Sequence, residues 1–375
     1  MVENNIYTIE YCNKTINEEW DKFVSENDGD IAQTSAWADY EMRFKGQTSK
    51  RFLIKEGNEI VAGCQIKIIN YRFIGSIGNI NRGPCVKRNT PEIHKLIVEG
   101  IKKITKEQKL LYTVISPNYY EDEFASFLSI KTFYKKPIEI PPYSNRYLKS
   151  TLLIDLSSSV EDLFDQMKKG RKKCIRKGLK SPIEVVVGGR DDLETFYELV
   201  LATNKRFNTT NPLVTSLEDV HTQWDLLSPN KWITLHLGKV NGEIICASLT
   251  YSFGKTFRNY HWGWNGEYSE YNVSDVIDWN TIQWAKENGF KYYDFVQVDY
   301  ESAQVIQSGE PIPDSIKQRE LFGATYYKMQ FGGFLKNYPD SYVYYPNKLK
   351  YFLVHIFGNY CIIMMSKIKR KKSKN

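Results

Sequence analysis

The sequence predicts an α/β protein made of two similar units in tandem. Its 375 residues exceed what one hydrophobic core usually spans. A β-rich segment occurs twice, as NEIVAGCQIKI (Asn58 to Ile68) and GEIICASLTYS (Gly242 to Ser252), with Glu59 and Glu243 at the same place where a hairpin turn enters a strand. The elements downstream of each copy repeat as well. The first copy leads to a helical pattern over Ile93 to Glu107 and a strand over Leu110 to Ile115. The second leads to a helix over Val276 to Asn288, Gly289 as its stop, and a strand over Phe290 to Gln297.

Composition supports two real cores. Hydrophobic residues make up 42% and charged residues 25%, and 26 Tyr and 8 Trp supply more aromatic surface than a disordered or fibrous chain carries. The segment IEIPPYSN, within Pro137 to Asn145, breaks any regular element and reads as a linker. The expected domains are therefore 1–145 and 146–345, the last part of the second packing back on the first, with 346–375 as an apolar helix and basic tail. After the linker, STLLIDL (Ser150 to Leu156) reads as a strand. Ser157, Ser158 or Ser159 caps a helix through Lys169, with Glu161 and Asp162 in its first turn. A further helix over Asp191 to Arg206 carries Leu193, Phe196, Leu199 and Val200 at helical spacing.

The net charge of +7 is concentrated in Lys168 to Lys180 and Lys367 to Lys374, so anionic partners are expected: phosphates, RNA or an acidic membrane face. Six cysteines with no close pairs suggest neither a zinc site nor a disulfide framework, and fit a reducing compartment. Met1 to Lys14 is polar and has no apolar signal segment, so the expected location is the cytoplasm. Tyr351 to Met365 is apolar but too short to span a bilayer, and a basic run comes after it. Two readings stay open there: a helix lying at the membrane surface, giving a peripheral location, or a helix docked on the body with a solvated tail.

Several ordered segments resemble the FemABX family of peptidoglycan interpeptide-bridge aminoacyltransferases. They are QTSAW (Gln33 to Trp37), RGPCV (Arg82 to Val86), STLLIDL, RKKCIRKGLK (Arg171 to Lys180), TNKRF (Thr203 to Phe207), YYDFVQV (Tyr292 to Val298) and YYKMQFGG (Tyr326 to Gly333). The resemblance implies two tandem GNAT-like (acyl-CoA N-acyltransferase-like) domains, with mixed β-sheets flanked by helices. It also implies transfer of an aminoacyl group from aminoacyl-tRNA to an amine on a lipid- or nucleotide-linked cell-wall precursor. No heptad stretch is present in the second half, so the chain resembles the compact type without a coiled-coil arm.

The same resemblance implies roles for Lys328 and Arg206, and the residues themselves suggest the other candidates. Lys328, in YYKMQFGG, is where the family motif places a cation that stabilises the tetrahedral transition state; otherwise it is a solvated lysine on a strand end. Arg206 binds a precursor diphosphate, or simply complements a helix C-terminus. Arg43 and Lys45 could reach the same phosphates, or lie on a solvated helix face. Arg171, Lys172, Arg176 and Lys177 could hold tRNA backbone, although charge runs are more often solvated faces. Tyr260, His261, Trp262 and Trp264 form an aromatic strand, of which Tyr260 and Trp262 are assigned to the acceptor cleft and His261 to the core. Asp294 and Asp299 fall at or near the end of the next strand, and Asp299 is the candidate to orient the attacking amine.

The sequence has no serine nucleophile elbow, Walker loop or metal-ligand spacing, so direct attack without a covalent enzyme intermediate and without a cofactor or metal is expected. Two alternatives remain. One is an acyl-CoA-dependent N-acyltransferase acting on an amino sugar of a surface polysaccharide, although no glycine-rich turn opens a helix in the way that coenzyme requires. The other is a non-catalytic tRNA- or membrane-surface-binding protein.

Overall fold

The computed structural model describes residues 6–12, 14–71, 75–118, 122–130, 133–135, 149–207 and 216–355. The expected linker over Pro137 to Asn145 and everything after His355 lie outside the described residues. The chain divides into two compact units, one of 1–147 and 338–375 and the other of 148–337. The stretch 338–345, which the sequence reading placed at the end of the second domain, groups with the first unit.

The first unit opens with strand β1 (Tyr7–Cys12), helices α1 (Glu18–Glu26) and α2 (Ser35–Lys45), and the hairpin β2 (Thr48–Glu56) and β3 (Glu59–Tyr71). It continues through β4 (Gly75–Asn81), β5 (Cys85–Val86), α3 (Pro91–Glu107), β6 (Thr113–Ser116), α4 (Asp122–Ile130) and β7 (Tyr134–Lys135). The second unit holds β8 (Ser150–Asp155), α5 (Val160–Asp165), α6 (Lys169–Gly178), β9 (Ile183–Val187), α7 (Leu193–Phe207), α8 (Leu217–Leu227), β10 (Ile233–Val240), β11 (Glu243–Phe253) and β12 (Thr256–Trp264). It ends with α9 (Val273–Glu287), β13 (Tyr292–Val298), α10 (Tyr300–Ser308), α11 (Asp314–Lys317), α12 (Phe322–Met329) and β14 (Phe334–Asn337). Strand β15 (Tyr342–Tyr344) and a helix over 348–355, here α13, return to the first unit.

Local chemistry explains these boundaries. Thr90 caps α3 by accepting from the Ile93 amide, and Pro91 starts it where a missing N–H costs nothing. Ile93, Ile97, Ile101 and Ile104 then recur on the buried face. Ser159, the last of the three candidate serines, caps α5. That helix stops at Asp165 rather than Lys169, and the basic run forms the separate helix α6. Asn241 and Gly242 both have positive φ (51° and 85°), the two-residue turn whose twist suits a hairpin, and they join β10 to β11.

The two sheets share one plan. The first runs β1-β2-β3-β4-β6-β15-β7, with β5 also on β3; the second, read from its far end, runs β9-β10-β11-β12-β13-β8-β14. In each, antiparallel strands lead to a parallel pair, β4 with β6 and β12 with β13. Each repeated hairpin carries the same bulge beside its turn, after Ile54 in one and Gly238 in the other. The mixed sheets are flanked by helices, as the fold class predicted. Cys12, Cys64, Cys85, Cys174 and Cys246 are free thiols. Among the described residues no helix is long and apolar enough to cross a membrane.

Packing on the first sheet is tight at Gly63, on β3. A Cβ there would lie 2.5 Å from Trp20 Cζ3 and 2.9 Å from the Phe52 carbonyl oxygen. Trp20 is fully buried and its Nε1 donates to the Gln33 carbonyl at 2.7 Å, so it has no room to yield. Gly63→Ala is expected to cost about 1–3 kcal/mol by overpacking. A urea midpoint unchanged by the substitution would show that the Trp20 pocket relaxes.

Candidate active site

The site forms where β12 and β13 separate. Their parallel pairing runs only from Thr256–Arg258 to Tyr292–Asp294. Beyond it, both strands are irregular. β12 bulges at Tyr260, between the pairs Thr250 with Asn259 and Leu249 with His261. β13 skips two residues against β8, between Asp294 and Gln297, and Val296 adopts a φ of +50°. A β-branched residue in that region is strained by about 1–3 kcal/mol, a feature that clusters at functional sites. The buried Asp294 carboxylate anchors this bulge: it accepts from Thr151 Oγ1, from the Val296 amide at 2.7 Å and from Arg258 Nε at 3.1 Å.

Lys328 enters at the bulge. It lies in the last turn of α12, not on a strand end, and its Nζ donates to the Gln297 carbonyl at 2.9 Å. The ammonium is only partly reached by solvent and is densely surrounded by protein. Burial pushes its pKa down to about 8, against the pull of Asp294 and Asp278.

A buried polar network surrounds the lysine. Asp278, on α9, accepts from Tyr327 Oη at 2.8 Å and from Asn259 Nδ2 at 2.8 Å. Burial pushes the Asp278 pKa up to about 7, outweighing the Tyr327 hydrogen bond. Asn259 also donates to Tyr293 Oη at 3.1 Å and accepts from Ser248 Oγ at 3.0 Å. Arg171, on α6, pairs with Asp275 one turn before Asp278, and its guanidinium lies 4.1 Å from the Tyr327 ring centre. Thus α6, α9 and α12 are tied together behind Lys328. Chemically, the arrangement offers a cation of tunable charge beside a buried carboxyl group that can hold or release a proton near neutral pH.

Arg171 is buried in its pair with Asp275 and does not share the exposed basic face expected of it. Arg176 and Lys177 are exposed on α6, the first over the Phe164 ring, while Lys172 bonds to Asp165. Asp299 caps α10 through Ser302 and forms a two-point pair with Arg319 at 2.6 and 2.8 Å. Those bonds, Arg319 foremost, hold its pKa down to about 2, so the structure gives it a capping role rather than that of a free orienting carboxylate.

Arg206 ends α7 with its guanidinium 4.2 Å from the Trp264 ring centre. Arg43 and Lys45 belong to the first unit, where Arg43 pairs with Asp39 at 2.7 Å and Lys45 lies over Tyr40. Tyr260 is 39% exposed at the bulge, whereas Trp262 is half-buried against the Val240, Ile245 and Ile277 cluster. His261 is buried, and burial pushes its pKa down to about 4, which keeps it neutral. The sequence reading set Tyr327 beside Lys328 but missed Asp278, Asn259 and Tyr293. Its available signal was Asp275 and Asp278 at i, i+3 on the apolar stripe of VSDVIDWNTIQW, where unpaired acids are costly. Among the described residues no group of three His, Cys, Asp or Glu is arranged to hold a metal ion.

Comparison with known proteins agrees with this architecture. The family model described as "FemAB family" matches residues 15–132, and that described as "Acetyltransferase (GNAT) domain" matches residues 165–302. A solved structure titled "Crystal structure of FemX" superposes on 93% of this chain and 100% of its own, with a TM-score of 0.79 and 16% identity. The chain is similar to the FemABX family and has its GNAT-like fold. The chain is also 26% identical over 199 residues to a "Lipid II:glycine glycyltransferase" of Staphylococcus haemolyticus (strain JCSC1435), covering 51% of the chain and 46% of the relative. The same-named protein of Staphylococcus aureus (strain MRSA252) is 24% identical over 198 residues, with the same coverage. The matched stretch spans just under half the length of these relatives. The structure of L-PGS from Bacillus licheniformis shares the fold alone, with a TM-score of 0.52 at 11% identity over 92% of this chain and 98% of its own.

Proposed function

We propose that this chain is an aminoacyltransferase that moves an aminoacyl group from aminoacyl-tRNA to an amine on a lipid-linked peptidoglycan precursor, at the cytoplasmic side of the membrane. The observation that carries the proposal is Lys328, a half-buried cation at a strained strand bulge, in a chain whose relatives are named for glycyl transfer to lipid II. In the reaction, the amine nitrogen attacks the ester carbonyl carbon and a tetrahedral oxyanion forms. The bond from that carbon to the ribose oxygen then breaks, and the proton lost by the amine ends on the ribose hydroxyl. Lys328 donates to the oxyanion, where a desolvated charge acts most strongly. Asp278, through Tyr327, holds the segment that carries the lysine. Arg206, Arg43 and Lys45 are assigned to precursor phosphates, the exposed Arg176 and Lys177 to the tRNA backbone, and Tyr260 to the acceptor side.

The test is to incubate the purified protein with lipid- and nucleotide-linked precursors and either mixed aminoacyl-tRNAs or acetyl-CoA, then weigh the precursors by mass spectrometry. A gain of one amino-acid residue that requires charged tRNA is expected, and its mass names the amino acid. An acetyl gain that requires acetyl-CoA would instead assign the chain to amino-sugar N-acylation. No gain under either condition would leave a binding protein.

A further inference from the structure

Helix α13 has two apolar faces, and the fold uses one of them. On the inner side, Tyr351 and Val354 pack on the cluster of Ile77, Tyr112, Val114, Val343 and Tyr345. Lys350 is turned inward too, its Nζ donating to the carbonyls of Leu110 at 2.6 Å and Lys109 at 3.2 Å, which pins the helix to the end of α3. On the outer side, Leu349, Phe352 and Leu353 are 65%, 60% and 38% exposed, three large apolar side chains at i, i+3 and i+4. A face of this kind next to a docked one marks an interaction surface.

Charge identifies the occupant. Residues 341–375 hold eight basic and no acidic residue, while the rest of the chain, with 43 basic against 44 acidic, is nearly neutral. The segment that begins with β15 and α13 is therefore one of the two basic concentrations of the chain, the other being Lys168 to Lys180, and it carries no acidic residue to offset its charge. In sequence, α13 is followed by the apolar run IFGNYCIIMM and then by KIKRKKSK. Exposed Leu and Phe followed in sequence by a basic run is the pairing that inserts into the headgroup region of a bilayer and is held there by anionic lipid.

We propose that the Leu349, Phe352 and Leu353 face of α13 docks the protein on the surface of an anionic lipid bilayer. The docking does not depend on which acyl group is transferred or from which donor. It would hold the first unit against the plane in which a lipid-linked acceptor moves.

The test is co-sedimentation of the full chain with phosphatidylcholine vesicles and with mixed phosphatidylcholine and phosphatidylglycerol vesicles, comparing wild type with the double variant Leu349→Gln, Phe352→Gln. The wild type is expected to sediment with the mixed vesicles and far less with the neutral ones. The variant should lose about tenfold in partitioning with an unchanged melting temperature, since both side chains are already exposed. Equal behaviour on the two vesicle types would overturn the proposal, as would a variant that partitions like wild type. A variant that melts earlier would show that the face packs on this chain's own residues. Self-association that the variant abolishes, without vesicle binding in the wild type, would assign the face to a second copy. Either of those results would also overturn it.

Discussion

Lys328→Ala is expected to lower the single-turnover rate of aminoacyl transfer about 10²- to 10³-fold, the cost of removing one donor from an oxyanion site. Precursor binding should change little, because the side chain is spent on the Gln297 carbonyl in the resting state and is called on only as the oxyanion forms. The pH profile sharpens the expectation. Burial sets the Lys328 pKa at about 8, so the ammonium, and with it the rate, should be lost as pH rises through that value. Lys328→Arg keeps its charge to about pH 12 and should shift that falling limb upward even if its geometry makes it slower. A Lys328→Ala protein that turns over like wild type would remove the lysine from the chemistry. A basic limb unchanged in Lys328→Arg would assign the titration to another group.

The second large effect is on stability. Arg171→Met should destabilise the second unit by about 3–5 kcal/mol, because it leaves Asp275 buried without its partner. The double substitution Arg171→Met, Asp275→Leu should recover much of that loss, since a buried pair replaced by apolar groups of similar volume is often near neutral. Urea unfolding of the three proteins reads this directly. If Arg171 instead served tRNA phosphates, the single variant would unfold like wild type and would show only a shallower salt dependence of tRNA binding.

Much of the fold was legible because it rests on local signals. Ile93, Ile97, Ile101 and Ile104 announce α3, the Asn241-Gly242 turn announces a hairpin, and the two matching hairpins announce the duplication. Of the candidate site, only Lys328 was marked in the sequence, by the family motif. Its surroundings were not, for a physical reason. Asp278 meets Asn259 and Tyr327 across 19 and 49 residues of sequence, and no local pattern encodes such partners. The phase of β12 was hidden in a similar way. The bulge at Tyr260 puts Asn259 on the same face as Trp262 and Trp264, where strict alternation would oppose them. Arg171 misled for the opposite reason: a run of cations looks uniform in sequence, yet one of them faces a buried acid.

The order of strands in the two sheets bears on how the chain is made. Strand β15, which lies between β6 and β7, is synthesised about two hundred residues after them, with the whole second unit intervening. A nascent chain emerging from the ribosome can complete the second sheet, whose strands run from β8 to β14, while the first still lacks an inner strand. Until residues 342–344 arrive, β6 and β7 each leave open the edge that β15 will fill. The half that is translated first is therefore the half that finishes folding last.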